Sequence, residues 1–86
     1  MAVFLIVPTT EGTIAEKLDS VLPGAFYALP KGEFLVRYTG TSKALSDALG
    51  ISDGEAGAAV VASLSGYYGR ASNDVWEWMK QHWGAE

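Results

Sequence analysis

The residues that could perform acid, base or nucleophilic chemistry are few in this 86-residue chain. Cysteine is absent and His82 is the one histidine, which excludes disulfides, thiolate sites and multi-histidine metal sites within one subunit. Ser63, Ser65 and Ser72 do not stand in the Gly-x-Ser-x-Gly elbow of a hydrolase, and they have one possible base, so no hydrolase triad is expected from them. We therefore predict no catalytic residue, no metal ligand and no cofactor-binding residue. The carboxylates that fall in caps, turns and helix faces, where a structural role is expected, are Asp47, Asp53, Glu55, Asp74 and Glu77.

The loop Gly66–Arg70 is the main candidate for nucleic-acid contact. Its glycines lack the spacing of a phosphate loop, but Tyr67 and Tyr68 beside Arg70 could stack on bases, and Arg37 could add a phosphate contact. More often, such aromatic residues anchor a loop or an interface. Six basic residues against ten acidic ones give a net charge of −4, which opposes this role because phosphate neutralisation supplies most of the affinity of nucleic-acid binders.

Hydrophobic periodicity predicts seven elements in the order β-α-β-β-α-β-α. The apolar run Ala2–Val7 is typical of a strand buried on both faces, hence a central strand. Thr13 and Glu16 have the spacing of a capping box at the first helix, and Gly50 stands where a left-handed residue ends the second. The predicted strands cover residues 2–7, 25–29, 33–39 and 58–64. The first helix is predicted over 14–22, the second begins at a cap on Thr41 or Ser42 and runs to Leu49, and the last begins at a cap on Asn73 or Asp74 and runs to about His82.

This order predicts a single α+β domain over residues 1–86. We expect a ferredoxin-like βαββαβ sandwich, in which a four-stranded antiparallel sheet carries two crossover helices on one side, followed by a C-terminal helix. The first and third strands should be central. The run Ala2–Pro8 is far shorter than the roughly 20 residues of a membrane span and lacks the flanks of a signal peptide. We expect a cytoplasmic location and no membrane partner.

The sheet face opposite the crossover helices poses a problem, because both faces are apolar. In the first strand Val3, Leu5 and Val7 alternate with Phe4 and Ile6. A large exposed apolar patch usually marks an interface. Either the C-terminal helix covers this second face of its own subunit, or two subunits stack sheet on sheet.

The tryptophans of the last helix favour the second alternative. Trp76, Met79 and Trp83 fall on one helical face, whereas Trp78 points about 160° away from Trp76 at 100° per residue. One core would then not hold both indoles, and a homodimer is predicted. The candidate interface residues are Val3, Leu5, Val7, Val60 and Trp78.

Three segments resemble a known family. They are the first strand Met1–Val7 before a capped helix, the hairpin at Lys31-Gly32, and Ser65–Gly69 followed by Val75–Trp78. In this layout the chain resembles the small bacterial SinR-like relatives of the CRISPR-associated adaptation (endoribonuclease-like) proteins. The resemblance implies a ferredoxin-like core and dimerisation through the sheets.

One departure from the family concerns the metal site. Members proposed to be catalytic end the first strand with a tyrosine and an aspartate, and two such aspartates would hold a divalent metal across the dimer. Here Thr9 falls at the position of the acid, and a neutral hydroxyl is a poor ligand for a hard cation. We therefore expect a dimeric interaction or assembly module without a catalytic site. The alternative is a nucleic-acid-binding or metal-dependent nuclease-like protein related to CRISPR adaptation or toxin–antitoxin proteins.

Overall fold

The computed structural model describes residues 2–66 and 73–83 and contains the seven predicted elements in the predicted order. The strands are β1 (Ala2–Pro8), β2 (Phe26–Ala28), β3 (Phe34–Tyr38) and β4 (Ala59–Ser63), and the helices are α1 (Ile14–Val21), α2 (Ser42–Ala48) and α3 (Asn73–His82). The strands β2, β3 and β4 each begin and end one residue inside the predicted bounds. At the β2–β3 hairpin this is because Leu29 and Glu33 already belong to the turn, where the Leu29 N–H donates to the Glu33 carbonyl.

The four strands form one antiparallel sheet in the order β2-β3-β1-β4. The central positions of β1 and β3 are confirmed, as is the α+β class. Phe4 and Ile6 of β1 lie on one face, where they pack with Leu18 of α1 and Leu45 of α2 in the first core cluster. All four of these side chains are almost completely buried. The arrangement is compatible with a ferredoxin-like fold.

The threonines that precede the first two helices behave differently. Thr41 caps α2 through its Oγ1, which accepts a hydrogen bond of 3.0 Å from the Ala44 N–H. Thr13 precedes α1, but its side chain makes no cap bond, so the predicted capping box with Glu16 is wrong. The Thr13 N–H donates instead to the Ala56 carbonyl, and this loop contact holds the backbone where the capping box was expected to. Gly50 ends α2 with φ +73°, as predicted.

The second face of the sheet is covered by α3 of the same chain. Val75 and Met79 of α3 pack with Val3 of β1 and Leu35 of β3 in a second core cluster, in which each is less than 10% exposed. This outcome decides between the two alternatives left open by the sequence. The C-terminal helix lies over its own sheet.

Both Trp76 and Trp78 pack against this second cluster, so the expectation that one core would not hold both is wrong. The buried stripe of α3 is centred between Val75 and Met79. At 100° per residue each of these two indoles lies about 80° from that centre, on opposite sides of the helix. A large ring at such an angle still reaches a flat sheet beneath the helix. The aromatic side chains therefore flank the contact, and neither points away from it.

Candidate interaction surface

One corner of the second sheet face lies beyond the second core cluster. Val7 of β1 is paired with Val60 of β4, and Ala62 is paired with Leu5, so these side chains point to the same side as α3. Val60 is 57% exposed, whereas Val7 and Ala62 are half-buried. We call Val7, Val60 and Ala62 the apolar corner. Val60 and Val21, which is 43% exposed, are the two exposed large apolar side chains of the described residues.

The backbone of β4 extends this corner to the rim of the sheet. The Leu64 N–H donates to the Val3 carbonyl and the Thr9 N–H to the Ala58 carbonyl, so the even-numbered residues of β4 bond to β1. Because backbone polar groups alternate in direction along a strand, those of Ala59, Val61 and Ser63 point away from the sheet. Among the described residues no hydrogen bond reaches these outward groups. We call them the β4 edge.

The β4 edge lacks the features that usually keep sheet edges from pairing. Exposed edges are normally protected by charged side chains, proline, bulges or short length. The other edge strand, β2, has three residues, and its Tyr27 stacks on Trp78. By contrast β4 has five residues, and the segment Ala56–Gly66 around it contains no charged residue and no proline. This combination is typical of a strand that pairs with another chain.

Two crossing loops hold the start of β4 in place. The Ala58 N–H donates to Thr10 Oγ1 at 2.9 Å, and the Thr9 N–H donates to the Ala58 carbonyl at 2.8 Å. Gly12 lies against the Ala56 carbonyl so closely that a Cβ on Gly12 would overlap it. Gly57 has φ +103°, a conformation that only glycine adopts without strain. The β4 edge is thus presented by a fixed strand.

A cavity of about 180 Å³ lies near these loops. It is smaller than the roughly 300–1,000 Å³ of typical small-molecule sites. No ionisable side chain is among its lining residues. The lining residues are Pro8, Thr10, Gly12, Ile14, Ala15, Gly32 and Phe34.

The carboxylate of Asp47 belongs to a surface network at the end of α2. A hydrogen bond from Ser52, and then one from Lys43 at 2.9 Å, lower the pKa of Asp47 below its ordinary value. The same contact with Asp47 raises the pKa of Lys43. The Asp47 carboxylate therefore stabilises the fold above the ordinary carboxyl pKa, and this contribution is lost as the pH falls through the lowered value. Asp47 has a structural role, as predicted.

Two other carboxylates also have structural partners. Glu55 accepts from Lys17 Nζ at 3.1 Å, which ties the loop before β4 to α1, and Asp53 Oδ1 accepts from the Glu55 N–H at 2.9 Å. Asp74 and Glu77 lie exposed on α3. Within residues 2–66 and 73–83 no three His, Asp or Glu side chains come close enough together to hold a metal ion.

His82 is occupied within its own helix. Its Nδ1 donates to the Trp78 carbonyl at 2.8 Å, and its ring stacks on the Trp78 indole with centroids 4.1 Å apart. The imidazole thus satisfies a carbonyl near the C-terminus of α3, where a histidine is also favourable to the helix dipole. Its contacts fit the structural role expected from the sequence.

The five predicted interface residues do not form one exposed surface. Val3 is 2% exposed beneath α3, and Leu5 and Trp78 are half-buried against the same cluster. Val7 and Val60 belong to the apolar corner. Sequence reasoning missed the outward backbone of β4, for which the uncharged stretch Ala56–Gly66 was the available signal.

The predicted nucleic-acid residues are placed only in part. Arg37 is half-buried on β3 and is paired with Val3, so its side chain points to the α3 side of the sheet. Tyr67, Tyr68 and Arg70 lie outside the described residues.

Comparisons with known proteins assign no family to the chain. No protein-family model matches it, and neither curated proteins nor solved structures gave a match. The resemblance to the SinR-like proteins therefore stays a prediction. None of the helices in the described residues has the length and hydropathy that a membrane crossing requires.

Proposed function

We propose that this protein is a ferredoxin-like, cytoplasmic interaction module that assembles into homodimers and has no catalytic site of its own. Its contact surface is the β4 edge together with the apolar corner. The proposal differs from a stacked pair of sheets, because α3 already occupies the face that stacking would use.

The observation that carries the proposal is Val60, 57% exposed on an edge strand that has no protecting charge. Burying a valine side chain completely is worth about 1.5–3 kcal/mol, and outward backbone groups gain partners when another strand pairs with them. A small domain buries a modest share of its surface and benefits from self-association. Both effects favour a strand-to-strand contact at β4.

A matched pair of valine substitutions tests the proposal. Val60→Lys places a charge on the contact surface and should abolish self-association, measured by sedimentation velocity across a range of protein concentrations. Val21→Lys is the control, since Val21 is the other exposed large apolar residue and lies on α1, away from β4. A wild-type protein that stays monomeric throughout, or equal effects of the two substitutions, would overturn the proposal.

The salt dependence of complex formation distinguishes self-association from nucleic-acid binding. Two copies that each carry a charge of −4 repel one another, and added salt screens that repulsion. Self-association should therefore strengthen with salt, whereas a complex held by phosphate contacts weakens steeply.

Nucleic-acid binding is the second candidate function, and the position of Arg37 favours it. Val3 of β1 is paired with Arg37 of β3 on one side, and its carbonyl accepts from the Leu64 N–H on the other. In the sequence, Leu64 closely precedes Tyr67, Tyr68 and Arg70. The resemblance to the CRISPR-associated relatives supports the same class and, through it, a metal-dependent nuclease. The test is binding of single-stranded RNA and DNA by wild type and Arg37→Gln, with cleavage followed with and without a chelator. Binding unaffected by Arg37→Gln would remove this residue from the site.

A further inference from the structure

We infer that the partner of the β4 edge is β4 of a second copy, paired antiparallel about a two-fold axis at Val61. The inference rests on the proposed function and specifies how the two copies meet. The result would be a continuous eight-stranded sheet, with α3 of both copies on the same face.

The direction of the backbone groups restricts the possible registers. The outward N–H and C=O groups belong to the odd-numbered residues Ala59, Val61 and Ser63, as the bonds of the even-numbered residues to β1 require. In an antiparallel pair, outward groups must face outward groups. The two-fold axis must therefore pass through a residue position of β4, and not between two residues. Shifting one strand by one residue would bring outward groups opposite inward groups, and the outward groups of both strands would stay unpaired.

Among these registers the axis at Val61 uses the whole strand. Val61 then faces Val61 of the second copy, and Ala59 faces Ser63, which gives about six hydrogen bonds from three bonded pairs. An axis at Val60 would give about four by the same rule. The Val61 register also sets the exposed Val60 beside Ala62 of the second copy, on the α3 side of the sheet. The apolar corners of the two copies then adjoin.

Charge favours a second copy over a charged partner. The segment Ala56–Gly66 is uncharged in a chain of net charge −4, so a basic or acidic strand would find no counter-charge along β4 and would be desolvated without compensation. An uncharged strand is the complementary partner, and β4 itself is such a strand. An isologous contact of this kind closes after two copies.

Single cysteines test the register, because the natural chain contains none. Bonded residues of paired strands lie about 5.5 Å apart between Cα atoms, within the range of disulfide geometry. After mild oxidation Val61→Cys should give covalent dimers several-fold more abundant than Ser20→Cys, a control on an exposed position of α1. Ala59→Cys and Ser63→Cys should each cross-link weakly alone and strongly when mixed in equal amounts.

The mixed pair keeps the test decisive if Val61→Cys does not fold, since Ser63 is exposed and Ala59 half-buried. A larger yield from Val60→Cys alone than from Val61→Cys, or a mixture no better than its components, would overturn the Val61 register. If Val60→Lys abolishes association and the cysteine yields are nevertheless equal to that of Ser20→Cys, the register fails and the proposed function stands. If instead the wild type itself stays monomeric, both the register and the proposed function fail.

Discussion

At the scale of single residues, the backbone of Gly12 lies close against the loop before β4. A Cβ on Gly12 would overlap the Ala56 carbonyl and lie 3.0 Å from the Gly57 Cα. Both neighbours are backbone atoms, so the overlap cannot be relieved by rotating a side chain. The contact holds the loop before α1 against the loop before β4.

Gly12→Ala should therefore destabilise the protein, by about 1–3 kcal/mol on the scale of overpacked sites, measured by urea unfolding. Gly66→Ala is the matched control, because a Cβ there meets no atom within 4 Å. Equal unfolding free energies for the two variants would show that the two loops separate without cost.

Composition alone removes thiolate and multi-histidine sites within one subunit. The partners of Asp47, Asp53 and Glu55 agree with their predicted structural roles. The capping box at Thr13 was wrong because a bond between loops 43 positions apart, from the Thr13 N–H to the Ala56 carbonyl, replaces the local one. No local pattern reports such a long-range contact.

At the scale of helices, the two threonine caps make a matched pair. Thr41→Ala removes the bond that Oγ1 accepts from the Ala44 N–H, and it should cost about 1 kcal/mol, as other N-cap deletions do. Thr13→Ala should cost less, because the Thr13 side chain makes no cap bond. Thermal unfolding of both variants tests the order, and a larger loss at Thr13 would contradict it.

The helices and strands themselves could be predicted because each depends on a local hydrophobic pattern and on residues that end an element. Examples are the apolar run before Pro8 and the end of α2 at Gly50. The position of α3 could not. Periodicity identifies the apolar stripe of a helix but not the surface that the stripe covers. Trp78 was misplaced because a helical wheel treats side chains as points, whereas an indole beside the stripe still reaches the sheet.

Met79 tests whether α3 covers its own sheet. Met79 is 2% exposed within the second cluster, so Met79→Ala should cost about 2–5 kcal/mol, as other large-to-small core changes do. Lys80→Ala, on the exposed side of the same helix, should cost little. Because the contact is intramolecular, the loss measured by urea unfolding should be the same at low and high protein concentration. A loss that grows with concentration would place α3 on a partner subunit.

At the scale of the whole molecule, two apolar sheet faces require two covers, and the chain supplies both. The helices α1 and α2 cover one face and α3 covers most of the other. The sequence indicated that both faces need a cover, but the cover it favoured for the second face was another subunit. What remains for another chain is the apolar corner and the β4 edge, a smaller surface that depends on backbone direction as much as on side chains.

Amide hydrogen exchange followed by NMR at increasing protein concentration tests this account most directly. The amides of Ala59, Val61 and Ser63 should exchange more slowly as concentration rises, because pairing gives their outward N–H groups acceptors. The amides of Val60 and Ala62 already bond to β1 and serve as the internal reference. Exchange at the three outward amides that stays fast while the protein associates would contradict the account, because the contact would then lie away from β4.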